Sequence, residues 1–156
     1  MREIKFRGKR IDNGEWVYGD LVQNPCSTRI VVDFVLIDGC NDGTVECGGD
    51  FYLVDPRTVG QFTGLQDSKG VDIYEGDIVK HKHSNQEDEK NFYWEYQIVN
   101  FHNGSFGFEG WCTNKNGELN KKFMHYSLSS GEFYEQLFDI EVIGNIHENP
   151  ELLETK

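Results

Sequence analysis

The sequence predicts a mainly β protein that folds as a small, strongly bent barrel with extra strands and loops. Two observations support this prediction. Stretches rich in Val, Ile, Phe, Tyr and Trp recur along the chain, and several alternate between apolar and polar residues as half-buried strands do. Short turn signals built from Gly, Asp and Asn separate these stretches, which is typical of strands that follow one another closely.

The N-terminal third contains three predicted strands. Residues 2–7 alternate and predict a half-buried strand, and Asp12-Asn13-Gly14 predicts a hairpin turn after it. Residues 15–22 (EWVYGDLV) supply the second strand. Residues 29–37 (RIVVDFVLI) are short and apolar on both faces, so they predict a central strand that is covered on both sides. The glycines and small polar residues of 38–50 predict a loop.

The middle of the chain carries the clearest pattern, GQFTGLQDSKGVDIYEGDIVKH at residues 60–81. Two short strands are joined at Asp67–Gly70, where Asp can accept bonds from the backbone that follows and Gly supplies a positive φ. Glu75-Gly76-Asp77 predicts a tight corner, and residues 78–83 leave it as another strand. Glycines at such corners allow a sheet to coil, so this stretch predicts a scaffold rather than an active site.

The C-terminal half is predicted to hold a long hairpin and little helix. Residues 84–91 are charged and predict an exposed loop, whereas residues 92–102 predict a long aromatic strand. Asn103-Gly104 is the sharpest hairpin signal in the chain. One or two short helical turns are expected near the C-terminus, in residues 130–138 and after Asn149-Pro150, where an N-cap residue precedes Pro.

The formal net charge of −12 disfavours direct nucleic-acid binding, because an acidic chain repels phosphate. The first ten residues are nevertheless basic, with five Lys and Arg against one Glu. Candidate nucleic-acid contacts in this arm are Arg2, Arg7, Lys9 and Arg10. The alternative is that the arm pairs with acidic groups of the same protein.

The chain is expected to be cytoplasmic and to have no membrane partner. Its apolar runs are too short to span a bilayer, and the charged N-terminus is not followed by the apolar segment of a signal peptide. The four cysteines include no Cys-x-x-Cys pair, so they predict reduced thiols rather than a zinc site or a disulfide framework.

Candidate catalytic or metal-binding groups are sparse. His81 and His83 would share one face of a strand and are the candidate metal ligands, although no third ligand follows at a typical spacing. Asp72, Glu75 and Asp77 could divide acid and base roles, but at a corner such carboxylates commonly bond to backbone N–H groups instead. The glycines match no nucleotide-binding fingerprint, so no cofactor is predicted.

Four stretches together resemble one family. They are REIKFRGKR, EWVYGDLV, TVGQFTGLQDSKGVDIYEGDIVKH and IEVIGNIHENPELL, in this order along the chain. They are similar to the YopX family of small proteins from bacteriophages and prophages of low-GC Gram-positive bacteria. The resemblance reaches both ends and the middle of the chain, whereas residues 38–50 and 84–122 contribute nothing to it.

The resemblance implies an all-β fold related to SH3-type barrels, and it implies no assigned activity and no catalytic residues. The residues that match the family's motif are expected to be structural. In the middle of the chain and near its end they are Gly60, Gln61, Thr63, Gly64, Leu65, Asp67, Gly70, Glu75, Gly76, Asp77, Gly144, Asn145, Asn149 and Pro150.

The sequence favours a non-catalytic protein-binding module that acts in the cytoplasm of the host on a host or phage protein. The alternatives are a nucleic-acid-linked role, by contact through the basic arm or by mimicry of DNA, and a small enzyme or metal-binding protein. One domain over residues 1–156 is expected; the alternative is a lobe over 1–59 and a barrel core over 60–147. The sequence does not determine the oligomeric state.

Overall fold

The structure is a computed structural model that describes residues 3–37, 46–85, 88–113, 119–120, 125–127 and 140–153. Nearly all regular structure in these residues is β-strand, together with two short 3₁₀ helices at Pro56–Thr58 and Pro150–Leu153. The strands are β1 (Phe6–Lys9), β2 (Trp16–Asn24), β3 (Ser27–Ile37), β4 (Glu46–Leu53), β5 (Gly60–Gln66), β6 (Asp72–Tyr74), β7 (Asp77–Asn85), β8 (Asp88–His102), β9 (Ser105–Thr113), β10 (Leu119–Asn120), β11 (His125–Ser127) and β12 (Glu141–Asn145).

The strands pair into two antiparallel sheets, which confirms the predicted mainly β fold. One sheet has the order β4-β3-β2-β1-β5-β6, and the other has the order β10-β9-β8-β7-β12 with β11 paired to β9. The predicted barrel is not closed in the described part of the chain. A single bridge between Arg10 and Val54 joins the end of β1 to the residue after β4, and no continuous ladder extends it.

The chain forms two compact units, residues 1–62 and 63–156. Strand β5 begins in the first unit, where it pairs with β1, and ends in the second unit, where it pairs with β6. Compact units are not by themselves independent domains. The division of the chain into one or two domains therefore stays a prediction.

The first unit is a meander of hairpins. The predicted turn at Asp12-Asn13-Gly14 joins β1 to β2, and Gly14 has a φ of 75° and donates its N–H to the carbonyl of Arg10. The turn from β2 to β3 is tighter than the predicted loop around Pro25. Its geometry is set by Asn24, whose side-chain oxygen accepts hydrogen bonds from the backbone N–H groups of Cys26 and Ser27, at 2.9 Å each.

Strand β3 is central in its sheet, as predicted, because it pairs with both β2 and β4. Ile30 and Val31 are fully buried. Val32 is half-buried, and the register shifts between Val32 and Val35. Asp33 lies in this bulge, exposed and with a φ of 53°, a conformation that Asp tolerates better than a β-branched residue.

The core of the second unit combines residues from β6, β7, β8, β9 and the start of β12. Its buried members are Ile73, Val79, Val99, Phe106, Phe108 and Ile140, with Leu65 and Val142 packed against them. The hairpin at Asn103-Gly104 is present as predicted, and both residues have positive φ, 51° and 83°. This is the geometry that matches the right-handed twist of the flanking strands.

Several predicted boundaries were wrong. Strand β1 begins at Phe6 rather than residue 2, and β4 begins within the predicted loop 38–50. The predicted loop 84–91 is largely strand, because β7 continues to Asn85 and β8 starts at Asp88. Alternation of apolar and polar residues identifies only strands that have one buried face. The charged hairpin formed by the end of β7 and the start of β8 has no such pattern and was therefore not predicted.

The C-terminal expectations are met in part. The predicted helical turn after Asn149-Pro150 is the second 3₁₀ helix, in which the N–H of Leu152 bonds to the carbonyl of Asn149 at 3.1 Å. The turns expected in residues 130–138 lie outside the described residues. None of the helices in the described part of the chain is long and apolar enough to cross a membrane.

Candidate functional site

The basic N-terminal residues do not form one displayed surface. Arg7 is only 6% exposed, and its guanidinium lies 4.9 Å from the centre of the Trp16 ring. Lys9 and Arg10 lie at the end of β1, and Arg2 is outside the described residues. Arg7 is built into the fold, so among the candidates that the structure describes a nucleic-acid contact would depend mainly on Lys9 and Arg10.

Arg10 is held by acidic neighbours. Its guanidinium forms an ion pair with Asp12, lies 3.9 Å from Glu15 and stacks over the Tyr52 ring at 4.5 Å. The hydrogen bonds that Arg10 donates to Asp12 raise the pKa of the guanidinium and lower the pKa of the carboxylate. This arrangement matches the alternative in which the arm pairs with acidic groups of the same protein.

Of the two candidate metal ligands, the structure describes the side chain of His81 alone. His81 is buried on β7, in register with Glu95, and the side chain of His83 is outside what the structure describes. Within the described residues, no group of three or more His, Cys, Asp or Glu side chains could hold a metal ion. Cys26, at the turn from β2 to β3, is a free, exposed thiol.

One face of the first unit presents a row of three exposed apolar side chains and one half-buried Arg across four neighbouring chain segments. The strand register places Val22 beside Arg29 and Arg29 beside Leu53, and directly paired residues point to the same face. The N–H of Ile11 bonds to the carbonyl of Leu53 at 3.0 Å, so Ile11 continues the row. We call Val22, Arg29, Leu53 and Ile11 the exposed row.

The apolar members of the exposed row are unusually open to solvent. Ile11 is 66% exposed, Leu53 49% and Val22 37%, and Phe51, two residues before Leu53 on the same face, is 48% exposed. Cross-strand spacings of about 4.5 and 5.5 Å give the row a length of about 15 Å. Exposed apolar side chains that are grouped rather than scattered occur at sites where another molecule binds.

The exposed row ends in an open groove of about 380 Å³. Ile11 belongs to both, and the groove is lined by Lys9, Arg10, Ile11, Asp55, Pro56, Arg57 and Thr58. Arg57 stands at its rim with an 85% exposed side chain and pairs with Asp55 at 2.6 Å. The hydrogen bond to Asp55 raises the pKa of Arg57. Three cations and one carboxylate therefore border the groove.

The groove is shaped by the first 3₁₀ helix. Asp55 is its N-cap, and its carboxylate accepts a bond from the backbone N–H of Arg57 at 3.0 Å. The hydroxyl of Thr58 donates to the carbonyl of Asp55 and accepts from the N–H of Lys9 at 2.8 Å. These bonds fix the wall of the groove against the end of β1.

Comparisons with known proteins assign the chain to a family. A model of the YopX protein family matches residues 5–154, nearly the whole chain. The chain belongs to the YopX family. It is also similar to the crystal structure of protein EF1440 from Enterococcus faecalis, with 25% sequence identity, a TM-score of 0.62, and coverage of 99% of this chain and 100% of that chain. None of the curated proteins matches it.

The YopX motif of residues 60–81 begins with β5 and continues through the turns of the second unit, where its side chains form hydrogen bonds. The buried side chain of Asp67 accepts bonds from the N–H groups of Lys69 and Val71 at 2.8 Å and of Val142 at 3.0 Å. Gly70 has a φ of 81°, as the predicted turn requires. Asp67 thus holds a turn and the distant strand β12 at once.

The YopX corner at Glu75-Gly76-Asp77 is also bonded to backbone. The buried carboxylate of Asp77 accepts from the N–H of Tyr74 at 2.8 Å, and Gly76, with a φ of 84°, bonds through its own N–H to the carbonyl of Val99. Asp72 accepts a bond from the side chain of Gln66 at 2.9 Å. The candidate carboxylates therefore take part in turn and strand contacts.

Other YopX motif residues support the strand–turn framework. Gly60 and Gln61 pair with β1, the hydroxyl of Thr63 donates to the carbonyl of Ile73, and Gly64 has a φ of 88°. Leu65 packs on the core of the second unit.

The C-terminal YopX motif forms a closed turn. The side chain of Asn145 accepts bonds from the N–H groups of His147 and Glu148 at 3.0 Å, and its backbone bonds to Asn149. A Cβ on Gly144 would overlap the side-chain amide of Asn149. Pro150 then opens the second 3₁₀ helix.

The aromatic rings of β8 and β9 that the structure describes differ in their exposure. In β8 and β9 Phe106 and Phe108 are buried, whereas Phe101 is exposed and meets Phe106 edge to face at 5.1 Å. The side chains of Phe92, Tyr93, Trp94 and Trp111 are outside the described residues. The exposed row could not be predicted from the sequence, because residues 51–54 (FYLV) are all apolar or aromatic and do not indicate which face of the strand is outside.

Proposed function

We propose that this YopX protein is a non-catalytic protein-binding module and that the exposed row is its binding surface. The observation that supports the proposal is that Ile11, Leu53 and Val22, with Phe51 beside them, lie on one face of the sheet and are each exposed. A row of apolar side chains with an Arg among them resembles the composition of protein interfaces, which are enriched in aromatic residues and Arg.

The row is better suited to a macromolecule than to a small substrate. Small-molecule sites are concave and bury most of their ligand, whereas the row is a strip on a sheet that ends in an open groove. The motif carboxylates bond to backbone and side-chain groups instead of converging on a cavity. These features favour binding over catalysis.

The setting of this function is part of the proposal. We place the protein in the cytoplasm of a bacterial host, encoded by a phage or prophage, with a host or phage protein as its partner. This setting, like the relation of the fold to SH3-type barrels, rests on the sequence resemblance described above. The net charge of −12 supports a protein partner over nucleic acid.

The test compares two variants that each add one charge at equally exposed apolar positions. Leu53 is 49% exposed and belongs to the exposed row, whereas Val71 is 48% exposed and lies in the second unit. We expect a tagged wild-type protein and Val71→Asp to retain the same nuclease-resistant protein partner from native cells, and Leu53→Asp to lose it. A photocrosslinking residue placed at position 53 should form a covalent adduct with that partner.

Three outcomes would contradict the proposal. Equal capture by Leu53→Asp would show that the row is not the surface in use. Partners that vanish after nuclease treatment would favour the nucleic-acid-linked alternative and direct attention to Lys9 and Arg10. Turnover of a small molecule by the purified protein would favour the enzyme alternative.

A further inference from the structure

Arg29 occupies a special place in the exposed row. It lies between Val22 on β2 and Leu53 on β4, with one exposed apolar side chain on each side. Among the residues that the structure describes, Arg29 has no ion-pair partner. Asp20, in the neighbouring row of the same face, is the nearest carboxylate by register and does not pair with it.

An Arg in this position differs from the other cations of the first unit. Arg10 is paired with Asp12, and Arg57 is paired with Asp55. The guanidinium of Arg29 instead offers a planar fork of N–H donors on a surface whose other members can only make apolar contacts. A partner that covers the row must either supply an acceptor to this fork or leave it desolvated, and an unpaired buried charge is costly.

Resting on the proposed function, we propose that the row binds a protein segment in which a carboxylate is flanked by apolar side chains, and that Arg29 receives the carboxylate. The apolar side chains of the segment pack on Leu53, Ile11 and Val22, and the carboxylate accepts two parallel bonds from the guanidinium. Arg29 is thus the residue that determines specificity.

The experiment uses a displayed library of random 12-residue peptides, selected on the full-length protein and counter-selected on Leu53→Asp. We expect the surviving peptides to carry Asp or Glu between apolar residues. Replacing that residue by Asn or Gln in a synthetic peptide should weaken binding by about tenfold to a hundredfold. Arg29→Gln should weaken binding of the acidic peptide by a similar factor. The two changes together should lower the affinity little more than either change alone.

Two control variants separate the effect of the bidentate guanidinium geometry of Arg29 from the effect of its positive charge. Arg29→Lys keeps the charge but not the bidentate geometry, so we expect it to recover only part of the affinity. Lys69→Gln removes one positive charge from the second unit and should leave the affinity unchanged.

The outcomes distinguish this inference from the function on which it rests. If peptides depend on Leu53 but carry no acidic residue, or if the Asn and Gln analogues bind as tightly, the inference fails while the proposed function stands. If no selected peptide depends on Leu53, the proposed function and the inference both fail. Equal affinity of Arg29→Gln and wild type for an acidic, Leu53-dependent peptide would also overturn the role of Arg29.

Discussion

Replacing Asp67 by Asn tests how the second unit is held together. One carboxylate oxygen of Asp67 accepts bonds from Lys69 and Val71, and the other accepts from Val142. Asn can keep the first two bonds through its oxygen, but its NH₂ group then faces the N–H of Val142. Two donors would meet where a charge-assisted bond now joins the turn to β12.

The expected cost follows from the bonds lost. A hydrogen bond to a charged group contributes about 1.5–3 kcal/mol, so Asp67→Asn should lower the free energy of unfolding by about 2–3 kcal/mol. Asp67→Ala loses all three bonds. Lys69 and Val71 are exposed, so water can replace part of that loss, and we expect a decrease of about 3–5 kcal/mol.

Urea unfolding measures the total effect, and hydrogen exchange of individual amides locates it. In Asp67→Asn the amide of Val142 should lose more protection than the amide of Val71. Asp50→Asn is the matched control, because Asp50 is an exposed carboxylate on β4, and it should change stability by less than about 0.5 kcal/mol. Wild-type stability together with a protected Val142 amide in Asp67→Asn would refute the reasoning.

Two further predictions concern one close backbone approach and one ion-pair cluster. Gly19→Ala should destabilise the first unit by about 3 kcal/mol or more in thermal unfolding, because a Cβ would overlap the backbone carbonyl of Val31, which cannot move aside as a side chain could; an unchanged melting temperature would contradict this. Hydrogen bonds from Lys69 and then Lys80 lower the pKa of Glu141 below its ordinary value of 4.5, so its contribution to stability is present above that pH and is lost as the pH falls through the lowered pKa. Glu141→Gln should therefore be less stable than wild type at pH 7 and in low salt, and the difference should shrink in acid and in high salt; a difference that persists at pH 2 would count against the ion pairs as its cause.

Local turn chemistry made much of the second unit predictable. Asp67 and Gly70 carry the information for their turn within four residues, and Asn103-Gly104 dictates positive φ at both positions. The sequence could not show that Val142 returns to Asp67, because that bond joins residues 75 positions apart. Nor could it show that the described strands form two sheets and no closed barrel, since closure depends on whether distant strand edges meet.

The candidate site was harder to predict for a related reason. Residues 51–54 (FYLV) are all apolar or aromatic, so their pattern does not state which face of the strand is covered, and here Val54 is buried whereas Phe51 and Leu53 are exposed. The sequence places Arg29 on a central strand, but it does not reveal that Val22 and Leu53 lie beside it, because the register between strands sets those neighbours. The sequence also could not show that Arg7 packs against Trp16 instead of facing solvent.

The return of β12 to the sheet has a consequence for protein synthesis. Ile140 completes the core of the second unit, β12 covers the edge of β7, and the N–H of Ile146 bonds to the carbonyl of Gly76. A nascent chain that stops before residue 140 therefore leaves the edge of β7 unpaired by β12 and the core without Ile140. Unpaired edges and unfilled cores are what cellular proteases act on, so we expect prematurely terminated products to be removed while chains that include β12 persist.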